Sequence, residues 1–430
     1  MNLPEKFILR MKKMLGAEYD AFIDAYQNAP VYSGIRINTL KNGAECADTE
    51  AVGELAGVPW CREGFYADKS VISGNHPYHC AGLFYFQEPS AMCAAAGLPV
   101  NEGDKILDLC AAPGGKTTQA AAKLNGSGLI AANEIVKKRA EILSENVERM
   151  GIKNAVVMNE TPQRLAEKYP AFFDKIIVDA PCSGEGMFRK EPAAAEEWSI
   201  EHTRSCALRQ KAILKSAFKM LRKGGRLVYS TCTFSREENE CLCECIVKEL
   251  DGVQLKEMHR LMPHMVRGEG HFAAVFEKQG EGEKRIMQGK NDITRQVLSL
   301  YREFEKENLN ISLNGDFRLF GSHLYLVPNG AGSLDKIKCV RAGLLLGEIV
   351  KNRFVPSHHL CMALKKEDFR RTISLNDEMI KKYRRGESIQ CQSEKGFGTM
   401  LYMDKFPLGW YKYSDGYAKN HYPKYLRDLK

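Results

Sequence analysis

ILDLCAAPGGKTTQ, from Ile106 to Gln119, decides the fold of this 430-residue chain. Its first residues are nearly all apolar, as in a strand covered on both faces. Pro113, Gly114 and Gly115 then turn the chain, and a helix is expected to follow. The first N–H groups of such a helix have no intrahelical partner, so they can meet a nucleotide-like ligand. The spacing is neither GxGxxG nor GxxxxGK(S/T). Only Gly114-Gly115-Lys116-Thr117 echoes the latter, which argues against an ATPase.

Outward from this turn, residues 101–280 alternate apolar runs with amphipathic stretches. KILDLCA, GLIAANE, NAVVMNE, DKIIVDAP and GGRLVYSTC read as strands, and Ala140, Leu143, Val147 and Met150 recur at the spacing of one helix face. The alternation predicts a doubly wound α/β domain around a parallel sheet, with ligands received at the C-terminal strand ends. Glu134, ending the second strand, is placed to accept hydrogen bonds from a ribose diol. A helix-start charge satisfied by the dipole is the plainer alternative. Two cysteines stand where later strands end: Cys182 in FDKIIVDAPCSGEG and Cys232 in GGRLVYSTCTFSREENE. Thiols in such places suggest covalent chemistry.

Composition sets the limits. A chain this long is expected to form two or three domains, and 44% hydrophobic with 27% charged residues is ordinary for a globular protein. No apolar run approaches the roughly 20 residues of a membrane span, and MNLPEKFILRMKKMLG carries charges where a signal peptide is apolar. A cytoplasmic protein with its 14 cysteines reduced is the expectation. Cys93, Cys206 and Cys339 read as small buried hydrophobes. Cys241, Cys243 and Cys245 alternate on an expected helix without a CxxC pair or a nearby histidine, so no metal site is expected.

The charge is uneven. Residues 281–430 hold 27 Lys and Arg against 18 Asp and Glu, which leaves 35 and 36 for the rest. A local basic excess suits a polyanion, or simply a solvated surface. Tyr402, Phe406, Trp410, Tyr411, Tyr413, Tyr417 and Tyr422 are interleaved with lysines, as stacking faces for RNA would be, although several must be core. Residues 279–290 lack apolar periodicity and read as a linker. RLFGSHLYLVP, RAGLLLGEIV and FGTMLYM beyond it suggest a small strand-rich domain.

DLCAAPGGKTTQ, DAPCSGEGMFRKEP, STCTFSREENE and YFQEPSAM (Tyr85–Met92) closely resemble the bacterial RNA 5-methylcytosine methyltransferases of the NOL1/NOP2/Sun group. With GIRINTLK, VRGEGHFAAVFEK and NHYPK included, the chain looks most like the 16S ribosomal RNA enzymes of the RsmF type over nearly its full length. The resemblance implies an N-terminal RNA-binding segment at 1–75, a Rossmann-like class I methyltransferase domain at 76–280, a linker at 281–290 and a basic PUA-like RNA-binding domain at 291–430. It implies S-adenosylmethionine as cofactor, bound by Cys110, Ala111, Ala112, Pro113, Gly114, Gly115, Lys116, Glu134, Asp179 and Glu160. Relatives often carry Asp-Gly where this chain has Glu160-Thr161.

The resemblance also assigns the chemistry. Cytosine C5 is a poor nucleophile until a thiolate adds at C6, and a C5 proton must later leave. By resemblance Cys232 attacks and Cys182 serves proton removal or product release. DNA cytosine methyltransferases attack from a Pro-Cys motif, so the reverse assignment stays open. Asp179 is expected to hold the cytosine ring edge or, more simply, to cap a loop. Lys116 is expected to contact the cofactor or a substrate phosphate, and Arg189 and Lys190 either grip RNA or form a solvated pair. Arg36 and Lys41 would join the C-terminal third in clamping RNA around a flipped base. Deletion of residues 291–430 is then expected to weaken RNA binding and spare cofactor binding. The expected partner is RNA, as 16S rRNA or the small ribosomal subunit, with neither DNA nor a membrane, and a monomer is favoured. A tRNA substrate and a non-catalytic assembly factor are the alternative readings.

Overall fold

The five apolar runs become parallel strands because their side chains are buried on both faces of one sheet. In the computed structural model, which describes residues 3–42, 55–67, 74–282 and 293–428, they are β1 (Lys105–Asp108), β2 (Leu129–Asn133), β3 (Ala155–Met158), β4 (Phe173–Asp179) and β5 (Leu221–Thr231). Ile106, Ile130, Val157, Ile177 and Val228 are fully buried. Helix α1 (Gly115–Leu124) follows β1, and α2 (Lys137–Arg149) follows β2. Ala140, Leu143 and Val147 of α2, and Met150 just after it, lie against the sheet as their spacing requires.

Three antiparallel strands extend this sheet beyond the expected five: β6 (Val253–Leu261), β7 (His271–Lys278) and β8 (Cys339–Ala342). The order is β6-β7-β5-β4-β1-β2-β3-β8. Connections diverge to opposite sides between β4 and β1, which makes their C-terminal ends the switch point where doubly wound sheets receive ligands. Edge strand β6 is largely exposed along Gln254–His259, which hides its strand character from an apolar-run reading.

β8 belongs to the C-terminal third. It pairs with β3, and its Arg341 reaches Glu148 of α2 at 2.7 Å and donates to Ser144 Oγ at 2.9 Å, all with little exposure. Deletion of residues 291–430 would therefore strip an edge strand and a buried charge partner from the cofactor domain. Cofactor binding is therefore expected to suffer along with RNA binding when these residues are removed, contrary to the expectation from sequence.

The flanking parts pack on the same body. Helices Glu5–Leu15 and Tyr19–Asn28 bury Phe7, Met11, Phe22 and Tyr26 against Phe188, Trp198 and Phe234. Phe7 meets Phe188 edge-on at 5.3 Å, and Phe22 meets Phe234 at 5.5 Å. The C-terminal third forms one four-stranded and one five-stranded sheet, and the second shares a core with the N-terminal strands through Ile35, Phe84, Tyr383 and Tyr411. The expected linker lies outside the described residues from position 283 onward.

The Arg341–Glu148 pair makes a stability prediction. Burial alone would raise the Glu148 carboxyl, but Arg341 first, with His358, His359 and the Tyr425 hydroxyl, together outweigh it and hold the group at about 2, below its ordinary 4.5. A depressed carboxyl stabilises the fold above its unfolded value, and that share is lost as pH falls from about 4.5 toward 2. Arg341→Met is expected to cost about 3–5 kcal/mol at neutral pH, read from urea midpoints, with the gap to the parent narrowing below pH 4.5. An unchanged midpoint would contradict the role given to the pair.

Candidate active site

The site is a consequence of register. β4 and β5 run parallel with Asp179 opposite Ser230, so the loops that leave them start side by side. Cys182 lies three residues beyond Asp179 and Cys232 two beyond Ser230, and their sulfurs stand 3.3 Å apart. Both line a cleft of about 750 Å³ with Cys110, Glu134 and Asp179. That volume is in the range of cofactor and substrate pockets.

Buried side chains fasten the two loops together. Glu238 accepts the Ser183 N–H at 3.0 Å, the Ser183 hydroxyl at 2.5 Å and Gln210 Nε2 at 2.7 Å. Glu185 accepts the Phe234 N–H at 2.9 Å and Trp198 Nε1 at 3.0 Å, and burial pushes its carboxyl up to about 7. The Gly186 N–H donates to the Cys232 carbonyl at 2.8 Å. Tyr26 of the second N-terminal helix donates its hydroxyl to the Glu185 carbonyl, so that helix braces the cysteine loops.

On the cofactor side, β1 leads into the expected turn. Gly114 has φ +117°, which a side chain rarely adopts, and a Cβ there would press on Leu143 at 3.1 Å. Arg139 donates to the Ala112 carbonyl and Asn146 to the Pro113 carbonyl, each at 2.9 Å, and the Ala111 N–H donates to Asn133. Beneath the turn Asp108 is buried. One of its oxygens accepts from Thr117 at 2.6 Å and the other has no hydrogen-bond partner, and burial raises the carboxyl to about 7. Glu134 directly follows β2, with one oxygen accepting the Val136 N–H at 2.9 Å and the other 3.3 Å from Arg139. A left-handed turn, an acid at the next strand end and an unsatisfied buried oxygen fit a nucleoside-bearing cofactor.

Asp179 is the electrostatic centre. Its carboxylate receives Lys116 Nζ at 2.8 Å and the Ser230 hydroxyl at 2.7 Å, with His271 Nε2 at 3.6 Å. Burial would raise this carboxyl, but Lys116 first and His271 after it hold it well below the ordinary carboxylate range. Burial pushes His271 down, and Lys116 adds to the shift, so the ring is neutral near pH 7. The Cys182 thiol is driven well up by its hydrogen bond with Cys232 and then by burial. The Cys110 thiol is raised too, mainly by burial.

Cys110, Ala112, Glu134, Asp179, Cys182 and Cys232 thus meet in one cleft. Ala111, Pro113, Gly114 and Gly115 shape the turn behind it, and Lys116 is spent on Asp179 rather than reaching outward. Glu160 stands apart from the cleft lining. Its carboxylate accepts the Lys338 N–H at 2.9 Å and lies 3.5 Å from Arg164. Arg189 does not face RNA: it is buried against Glu269 at 2.8 Å and donates to the carbonyls of Ala29 and Pro30. Arg36 is buried as well and holds Gln87, the Gly115 carbonyl and Thr118, which removes it from an RNA clamp. His271, Asp108, Glu185 and Glu238 were not singled out by sequence reasoning. A readable signal existed for His271 alone, at the start of an apolar run in HFAAVF. Among the described residues no cluster of three His, Cys, Asp or Glu side chains could hold a metal ion.

Comparison with known proteins agrees with this geometry. The family model described as 16S rRNA methyltransferase RsmB/F matches residues 95–279, and that of the N-terminal domain of 16S rRNA methyltransferase RsmF matches 3–89. The RsmF first C-terminal domain matches 303–364 and the methyltransferase RsmF PUA domain 370–428. Ribosomal RNA small subunit methyltransferase F of Vibrio cholerae is 33% identical, covering 99% of this chain and 98% of the relative. The protein of that name from Escherichia coli is 32% identical, covering 99% and 97%. The crystal structure of NSun6 from Pyrococcus horikoshii with SFG, an S-adenosylmethionine analogue, shares the fold at TM-score 0.57 and 24% identity, over 65% of this chain and 99% of that one.

Glu238 offers a test of how the cysteines are held. Glu238→Ala leaves buried donors at Ser183 and Gln210 without an acceptor and is expected to cost about 1–3 kcal/mol. Iodoacetamide labelling of Cys182 and Cys232, followed by mass spectrometry, should quicken. Parent-like stability and labelling would show that the loops do not depend on this carboxylate.

Proposed function

The chain belongs to the RsmF family of 16S ribosomal RNA methyltransferases, and from that membership we propose that it methylates C5 of a cytosine in 16S rRNA with Cys232 as the attacking thiol. The observation that carries this reading is the 3.3 Å approach of the Cys182 and Cys232 sulfurs in the cleft beside Asp179. The turn from Cys110 to Lys116, with Glu134, would hold S-adenosylmethionine, which would supply an electrophilic methyl group and leave as a neutral thioether.

The Cys182 thiol, raised by its hydrogen bond with Cys232 and by burial, stays protonated, so its S–H stands beside the Cys232 sulfur. The Cys232 sulfur bonds to C6 of the cytosine and the ring electrons move onto C5, which would take the methyl as the methyl–sulfonium bond breaks. The C5 proton then passes to a solvent base, the C6–S bond breaks and the ring regains its double bond. The Cys182 S–H stabilises the departing Cys232 thiolate, so product release suits it better than proton removal. Asp179, held ionised, can only accept hydrogen bonds, which suits the exocyclic amino group of cytosine.

A base must leave its stack to reach this cleft, at a cost of a few kcal/mol that binding elsewhere offsets. Lys306, Arg370, Arg371, Lys395, Lys412 and Tyr413 line a groove of about 790 Å³ in the C-terminal third that suits this task. The aromatics do less than their number suggests, since Phe406, Trp410, Tyr411 and Tyr422 are buried. We place the protein in the cytoplasm on the strength of its ribosomal RNA substrate. Among the described residues no helix is long and apolar enough to cross a membrane.

Cys182→Ala is expected to accumulate a covalent protein–RNA adduct that survives denaturing electrophoresis. Cys232→Ala should form none and lose methyl transfer by at least about a thousandfold. The reverse pattern would exchange the two roles, and no adduct in either variant would remove covalent catalysis from the account.

A further inference from the structure

At the edge of the sheet opposite the cysteines, a second cleft of about 560 Å³ opens between the cofactor domain and the C-terminal third. Residues just ahead of β2 and β3, among them Gly126 and Lys153, form one wall, and Met362–Lys366 with Lys405–Pro407 form the other. It therefore lies at the N-terminal strand ends, remote from the reaction. Lys41, Lys153, Lys365, Lys366 and Lys405 line it, and Glu367 is the one acid among its described lining residues. Lys366 is already paired with Asp404 at 2.7 Å, which leaves four lysines without a carboxylate in ion-pair contact among the described residues.

Lys41 is the distinctive member. Its Nζ is buried with no hydrogen-bond partner among the described residues, and burial pushes the amine down to about 7, with Cys361 opposing and Arg149 adding to the shift. Gly151 shapes this corner: with φ +70°, a Cβ there would overlap the Met362 carbonyl and crowd Lys41 Cε at 3.2 Å. A buried ammonium with no acceptor is costly, and an anion entering the cleft would supply the acceptor. Lys153, Lys365 and Lys405 are exposed around the same opening, spread out as a continuous polyanion would meet them.

We infer that this cleft grips successive backbone phosphates of the substrate RNA at a point distant from the target cytosine. Such a contact fixes position and adds affinity without reading sequence. The inference rests on RNA being the substrate.

Fluorescence anisotropy of the full chain with a labelled 16S rRNA fragment, taken across salt concentrations, tests it. The triple variant K153Q/K365Q/K405Q should bind about tenfold more weakly or worse, and its log–log salt slope should flatten by about 2, at roughly 0.7 per phosphate contact on a single strand. Lys41→Met should weaken binding in the same direction. Both variants should bind S-adenosylmethionine like the parent in calorimetry, which shows them folded. Unchanged RNA affinity and slope in both would overturn the inference. Inorganic phosphate is titrated in parallel. A binding heat lost in Lys41→Met while RNA affinity stays constant would assign the cleft to a free anion and overturn the RNA contact. Methyl transfer by the parent chain is scored separately, so failure of the proposed activity is distinguishable from failure of the cleft.

Discussion

The parallel pairing of β4 with β5 is the constraint on which the rest depends. Because Asp179 lies opposite Ser230, the two loops leave the sheet at one level, and two cysteines 50 residues apart in sequence come within 3.3 Å. A one-residue slip in this ladder would turn the Asp179 side chain to the other face and separate it from Ser230. The loops could not hold this geometry unaided. Glu238 and Glu185 cross between them, Gln210 anchors Glu238 from the long helix Ile200–Met220, and the N-terminal helices close the far side.

Charge then acts on that frame in opposite directions at neighbouring groups. Lys116 and His271 keep Asp179 ionised although burial resists it, while the Cys182 thiol is driven the other way by Cys232 and by burial. An ionised acceptor and a protonated thiol line one cleft, and in the proposed reaction they divide the work of base orientation and thiolate release. Lys116 is the hinge of this arrangement. It stands in the cofactor turn yet spends its charge on the catalytic side, so turn and reaction centre are coupled through one ion pair.

The cofactor domain was legible because its signals are local. Five apolar runs, the Pro113–Gly115 turn and the face of α2 each occupy a short window, and all form as their spacing requires. What escaped reading depends on partners far along the chain. Arg36 and Arg189 look like free cations until Thr118 and Glu269 are placed beside them. Arg341 meets Glu148 across 193 positions, and the strand carrying it completes a sheet begun before residue 160. Trp410 and Tyr411 alternate with lysines in sequence, but a strand buried on both sides takes both rings inward. Glu160 was expected at the cofactor by family resemblance, and its carboxylate accepts the Lys338 N–H from the C-terminal third.

RNA carrying 5-fluorocytidine at the target gives the most direct test of the central claim, because fluorine at C5 cannot leave as a proton does and the adduct persists on the unaltered chain. Tandem mass spectrometry of the cross-linked peptide is predicted to place the nucleotide on Cys232. A nucleotide on Cys182, or methyl transfer to cytosine with no adduct on either sulfur, would contradict the account.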